Sequence, residues 1–267
     1  VLVLWNVAIG CIEQKDFQRA TLLLQEAAEN AGVDKRLLGL VEVGLCRLYR
    51  GLHNLEKAQE HGRRALQLLQ ESGDPEDIAQ AAIYLGSVEG ISGNFTQAEG
   101  LYRQALEHLR GSKNWRLLIL AHWGLGNATH ELERPNEAFD HYQAALDFAA
   151  ESATPVERAK LQMGLALGYR ERGDLDRALQ LSAKALEVLE DIGETEVIAG
   201  LHINIGSIHL RRGDRQAART SYEQALAALE DESVLQGAEA QRKLARLDME
   251  EGKPREALDR AQAALGI

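Results

Sequence analysis

The chain has few of the residues that interrupt helices or staple small folds. Its 267 residues include four prolines, two cysteines and two methionines, and aromatic residues make up only 5%. So little proline permits long uninterrupted helices. Cys11 and Cys46 lie in apolar stretches rather than in a spaced framework. That excludes a disulfide scaffold and reads as reduced core thiols of a cytoplasmic protein. No run of about eighteen apolar residues occurs, so no segment reads as a membrane-spanning helix. No basic start followed by an apolar stretch and a cleavage site reads as a secretory leader. Positive charge is scarce: 30 Lys and Arg stand against 41 Asp and Glu, for a net charge of −11. This excludes nonspecific attraction to nucleic acid or an anionic membrane. Arg211, Arg212, Arg215 and Arg219 form a local basic edge, but Asp214 and Glu223 balance it, and we read it as a solvated helix face.

Recognisable catalytic chemistry is missing as well. There is no glycine-rich phosphate loop, no Gly-x-Ser-x-Gly elbow and no Cys–His pair at a nucleophile spacing. His122 and His130, or His202 and His209, are spaced by about two helical turns, but no Glu or Cys completes a metal-ligand set. The expectation is a protein without catalytic residues, metal or cofactor. Gly124-Leu-Gly126 lies within a predicted helix, where glycines let helices pack closely.

What the chain does have is a period. Alanines fall at Ala20, Ala58, Ala98, Ala138, Ala178, Ala218 and Ala257, thirty-eight to forty residues apart. Seven residues after each stands another: Ala27, Ala65, Ala105, Ala145, Ala185, Ala225 and Ala264. Two alanines at this spacing share one helix face and let a second helix approach closely. Repetition of that device along the whole chain predicts a stacked array rather than one central core. The third unit shows the pattern: a helix over 75–92, a turn at Gly93-Asn94, and a second helix over 95–109. The turn recurs at Gly173-Asp174, Gly213-Asp214 and Gly252-Lys253, and in altered form at Lys15-Asp16, His53-Asn54 and Glu133-Arg134. Glycine there suits a left-handed helix end, and Asn or Asp suits the cap of the next helix. Pro75, Pro135, Pro155 and Pro254 all fall in the first turn of a predicted helix, where a missing N–H costs nothing.

The run Leu85-Gly86, Gly93-Asn94-Phe95, Ala98, Tyr102, Ala105-Leu106 resembles the tetratricopeptide repeat, over essentially the whole chain. The forty-residue spacing is similar to the long-helix variety of kinesin light chains, polarity adaptors and bacterial peptide-responsive or maltose-activator-like regulators. The resemblance implies an all-α, right-handed superhelical solenoid of about seven helix-turn-helix repeats, at about 1–34, 35–74, 75–114, 115–154, 155–194, 195–233 and 234–267, forming a single domain. The pattern departs where Ala8, Cys46, Ala166 and Ala245 replace the first-helix glycine. Val1 to Trp5 read as the middle of a helix and Ala261–Ile267 as an uncapped repeat, so the expectation is a piece of a longer protein.

The resemblance further implies that the first helices line a concave groove for a peptide. One projected row reads Trp5, Val43, Ile83, Trp123, Met163, Ile203 and Arg242. Four residues on, a second reads Ile9, Arg47, Ser87, Asn127, Leu167, Ser207 and Arg246. A third contains Arg50, His130, Arg170 and Met249. The first row is either an exposed apolar binding stripe or a face packed on neighbouring helices. Asn6 and Asn204 at one register position, and Asn127 at another, match asparagines that hold a peptide backbone in the family, since an amide both donates and accepts. Arg47, Arg50, Arg170, Arg242 and Arg246 either meet an acidic peptide or neutralise Glu13, Glu131, Glu171 and Glu250. The lysine–asparagine clamp for chaperone tails is absent from every matching pair. The expected function is a protein- or peptide-binding scaffold, an adaptor or the sensing half of a bacterial regulator, with self-association through the terminal repeats as a further possibility. The alternative is a regulatory domain of a larger enzyme, signalling ATPase or transcription factor that responds to a small ligand.

Overall fold

The computed structural model describes residues 1–149, 153–229 and 235–265. Among these, fourteen helices follow one another in pairs. They are α1 (Leu2–Glu13) and α2 (Phe17–Ala31), α3 (Lys35–Gly51) and α4 (Leu55–Ser72), α5 (Pro75–Ile91) and α6 (Phe95–His108), α7 (Trp115–Glu131) and α8 (Pro135–Ala149). Then come α9 (Pro155–Glu171) and α10 (Leu175–Glu190), α11 (Thr195–Arg211) and α12 (Arg215–Ala227), α13 (Leu235–Glu250) and α14 (Pro254–Leu265). The chain divides into two compact units, Val1–Phe148 and Ala149–Ile267.

Within the first unit α1, α3 and α5 each pack on their own second helix and on the first helix of the next pair. α3, α5 and α7 also pack on the preceding second helix. By contrast, α2, α4 and α6 do not touch one another. The first helices therefore form the tighter, inner layer of the stack. In the second unit α9, α11 and α13 make the same first-to-first contacts.

The two alanine series explain the closeness of this packing. Ala20, Ala58, Ala98, Ala178 and Ala218 are wholly buried, and so are Ala27, Ala65, Ala105, Ala145, Ala185 and Ala225. The left-handed backbone expected at the turns is present at all seven. Gly93, Gly173, Gly213 and Gly252 take φ of 75–83°, and Lys15, His53 and Glu133 adopt the same left-handed region at φ 57–59° without being glycine. The side chains of Asp16, Asn54, Asp174 and Asp214 cap the following helices by accepting a backbone N–H three residues on. Asn94 departs from this rule. Its Nδ2 donates to Glu89 Oε2 at 2.7 Å, because Glu89 is a buried carboxylate that also collects Gln59 and Arg63 at 3.0 Å. A buried charge needs its partners more than a helix end needs a cap.

Four glycines inside first helices, Gly86, Gly124, Gly126 and Gly206, are seats for tyrosines. A Cβ on Gly126 would lie 2.6 Å from the Tyr142 ring, and one on Gly206 would lie 2.5 Å from the Tyr222 ring. Gly124 is filled in the same way by Tyr102 of the preceding pair.

Candidate functional site

The inner layer of the first unit carries most of the residues singled out above, and their environments differ sharply. Val43 and Ile83 are buried, with Ile83 in a core cluster that includes Leu117, Ala121 and Leu125 of the next first helix. In the second unit Ile203 is buried too, and Met163 is half-buried against Ile198 and Leu201. The apolar row is thus largely inter-helix packing. Trp123 is half-buried, with its ring 5.5 Å from that of Tyr142, and Trp5 donates its indole N–H to the Leu40 carbonyl at 2.6 Å.

The second row is polar, and tyrosines from the second helices organise it. Tyr142 donates its hydroxyl to Asn127 Oδ1 at 2.8 Å, and Tyr222 Oη lies 3.3 Å from Ser207 Oγ. Tyr102 stands at the same offset from Ser87; burial pushes its hydroxyl up to about 12, with Arg50 and Ser87 opposing the shift. Each tyrosine stands fifteen residues after its partner. That constant offset was available in the sequence, and it is the signal that would have identified the tyrosines as part of the site. Asn127 is exposed, so with Oδ1 held by Tyr142 its Nδ2 remains a donor for a ligand carbonyl.

The arginines of the first unit are committed internally. Arg47 is buried, donates to Glu13 Oε1 at 3.0 Å and stacks 4.7 Å above the Tyr84 ring. Arg50 donates to Ser87 Oγ at 2.7 Å and lies 5.8 Å from the same ring. They tie α1, α3 and α5 together along the inner layer. His130, half-buried, faces Glu131 at 3.5 Å.

In the second unit Arg170 donates to Asn204 Oδ1 at 2.8 Å and to Glu171 at 3.0 Å. Asn204 is buried and serves Arg170, so the two asparagines of the site have different duties: one holds an arginine, the other reaches solvent. Arg242 and Arg246 are exposed.

Elsewhere in the first unit a cavity of 430 Å³ opens beside Arg63, Glu89, Gln97 and Gln104. With Leu85 and Leu101 also in its wall, it is an open surface depression rather than the enclosed pocket that small-molecule sensing needs. Among the described residues no three His, Cys, Asp or Glu are grouped to hold a metal, and no helix is long and apolar enough to cross a membrane.

Helix pairs stacked with their first helices innermost define a tetratricopeptide-type solenoid. The chain belongs to the MalT-like TPR region family, whose profile matches residues 39–264. No curated protein matches it. Among solved structures it is similar to a Rap protein complexed with competence and sporulation factor, at 20% identity and a TM-score of 0.81, over 99% of this chain and 76% of that one. NprR in complex with its cognate peptide NprX is similar at 14% identity and a TM-score of 0.77, over 100% and 77%. A signal-transduction ATPase from Pyrococcus horikoshii with a tetratricopeptide repeat sensor is similar at 18% identity and a TM-score of 0.69, over 98% of this chain and 40% of that one. At these identities the likeness is one of fold.

Proposed function

We propose that the chain is a non-catalytic, cytoplasmic peptide-binding scaffold that uses its inner first-helix layer, in an adaptor or in the sensing part of a regulator. One observation carries this reading. Asn127 is exposed in the inner layer, oriented by a buried tyrosine, one helical turn from the half-buried indole of Trp123. An oriented amide donor beside a partly open aromatic is what an extended peptide backbone and an apolar side chain require. His130 and Ser87 extend that polar surface on α7 and α5, and Met163, Arg170, Ile203 and Asn204 supply the corresponding inner face of the second unit. The peptide complexes of Rap and NprR, which share the fold, support this choice over a small-ligand sensor.

The test is panning of a random peptide display library against the chain, followed by calorimetry of the enriched peptides. The Trp123→Ala, Asn127→Ala double variant is expected to lose at least about tenfold in affinity while keeping its helicity and melting temperature. Failure of the original chain to enrich any peptide refutes the reading. Equal binding by the double variant moves the site away from α7.

A further inference from the structure

The seventh helix pair breaks the pattern of the inner layer in one direction only. Where other first helices place Ile83, Trp123 or Ile203, α13 has Arg242; where they place Ser87, Asn127 or Ser207, it has Arg246. Between these two, at the position of Gly124 and Asn204, stands Lys243. Three inner positions are therefore cationic in one repeat of a chain whose net charge is −11.

Among the described residues these cations have few carboxylates to share. The Arg242 and Arg246 side chains are 73% and 76% exposed. Arg242 and Lys243 share one carboxylate, Glu239, at 3.8 and 4.0 Å. Arg246 reaches Glu250 at 3.3 Å, but Glu250 also serves Arg215 at 3.5 Å. Exposed ion pairs within one helix are weak and easily exchanged for a ligand. Lys243 reports the local field. Burial holds its ammonium below the usual lysine range, Glu239 opposes that, and Arg242, Arg170 and Arg246 press it down further. Burial pushes up the Tyr222 hydroxyl, which lies 3.3 Å from Ser207 Oγ; Ser207, Arg170 and Arg246 oppose that shift while Glu239 adds to it. Guanidinium groups of α9 and α13, the Lys243 ammonium and the Glu239 carboxylate thus act on the same inner surface of the second unit as the Ser207–Tyr222 hydroxyl pair.

We propose that the inner face between α11 and α13 is a carboxylate-binding subsite for peptides, with Arg242, Lys243 and Arg246 as its cationic contacts. Guanidinium groups favour carboxylates through charge-assisted, often bidentate, hydrogen bonds. The carboxylate belongs either to an Asp or Glu side chain or to a peptide C terminus. The proposal rests on the peptide-binding reading and names the chemistry of its ligand.

The experiment uses the random peptide library in two display formats, one with a free C terminus and one continuing into the carrier protein. It is run with the original chain, with Arg242→Gln, Arg246→Gln and with Trp123→Ala, Asn127→Ala. The original chain is expected to enrich Asp and Glu in the carrier-joined format, or terminal carboxylates without acidic side chains in the free format. Either result supports the subsite and identifies its source. The glutamine variant should bind the selected acidic peptides about tenfold more weakly, with added salt narrowing the difference and with an unchanged melting temperature. Enrichment without any carboxylate preference, or full acidic-peptide affinity in the glutamine variant, overturns the subsite and leaves the peptide-binding reading standing. Absence of any enriched peptide overturns both.

Discussion

Gly126 and Tyr142 form a pair whose energetics are expected to change sign with context. Alanine is a better helix former than glycine by about 1 kcal/mol, so Gly126→Ala in an open helix would stabilise. Here the added Cβ would stand 2.6 Å from Tyr142 Cε1 and 2.7 Å from Cδ1. The ring has nowhere to go: Tyr142 is 1% exposed, its hydroxyl is bonded to Asn127, and its ring meets Trp123 at a tilt with centroids 5.5 Å apart. Overpacking of this kind costs about 1–3 kcal/mol, which meets or exceeds the propensity gain. Tyr142→Ser alone is expected to cost about 3–5 kcal/mol through the cavity it leaves. In that background nothing obstructs a Cβ at position 126, and only the propensity gain remains. Gly126→Ala should therefore be neutral to destabilising beside tyrosine and stabilising by up to about 1 kcal/mol beside serine, a coupling of about 1–3 kcal/mol. The fifth repeat already contains the second combination, with Ala166 sixteen residues before the buried Ser182. Repeat arrays depart from two-state unfolding, so the measurement is native-state hydrogen exchange of α7 amides, which reads local opening energies. The same stabilising effect of Gly126→Ala in both backgrounds would refute the argument.

Other consequences follow from local chemistry. Lys15, His53 and Glu133 hold left-handed backbone without being glycine. Because non-glycine residues there cost about 1–2 kcal/mol, glycine at any of them should raise the melting temperature, and a fall would show that the turn is not strained. His122 is held neutral, down to about 4, by burial and by His141, whose Nδ1 is 3.2 Å away. The unfolded chain takes up that proton below about 6.5 and the folded chain does not. Stability is therefore complete above that pH and is lost as pH falls toward 4. The shifts of His141 and His202 act in the same direction. His122→Gln, which copies Gln162 of the next repeat, should flatten the fall in melting temperature between these limits; an unchanged slope would assign it to other groups. On α1, Val3 is 76% exposed, whereas Val41, Ala81, Ala121, Leu161, Leu201 and Ala240 at the same register are 0–2% exposed. If the chain self-associates through this face, Val3→Glu with Val7→Glu should abolish the larger species in sedimentation and leave stability within about 0.5 kcal/mol.

The architecture was legible because its determinants are small residues at fixed intervals, and small residues have few alternative uses. Paired alanines, turn glycines and first-turn prolines each specify backbone geometry whatever surrounds them. The exceptions were legible too, with one more step. The first-helix glycine gives way to Cys46 and Ala166 where the residue sixteen further on is Gly62 or Ser182, and it persists at Gly86, Gly126 and Gly206 where that residue is tyrosine. What looks like a weakened repeat is a balance of volume across one helix pair. The candidate site was less legible because its composition does not say which inner positions pack. Ile83 and Trp123 share a register, but Ile83 is wedged against the next first helix while the Trp123 ring stays partly open. That difference depends on neighbouring side chains two helices away. The arginines likewise look alike in sequence, yet Arg47 is buried over Tyr84 and Arg242 stands in solvent.

The tyrosines link the core to the inner surface, and this link is separable from packing. Asn127 and Ser207 each meet a tyrosine hydroxyl fifteen residues later, and Tyr102 stands at that offset from Ser87, whereas the position is the apolar Leu167 where the later residue is Ser182. In this row a serine or asparagine, unlike the arginines, accompanies a tyrosine fifteen residues on. Tyr142→Phe keeps the ring that fills the seat at Gly126 and removes only the donor to Asn127. One exchanged hydrogen bond is worth about 0.5–1.5 kcal/mol, and because Asn127 is exposed, water replaces the lost partner in the free protein. The melting temperature should therefore barely change, while affinity for peptides selected on the original chain falls about threefold to tenfold. A variant that melts early but binds normally would make Tyr142 a packing residue only, and Asn127 would then need no help to face its ligand.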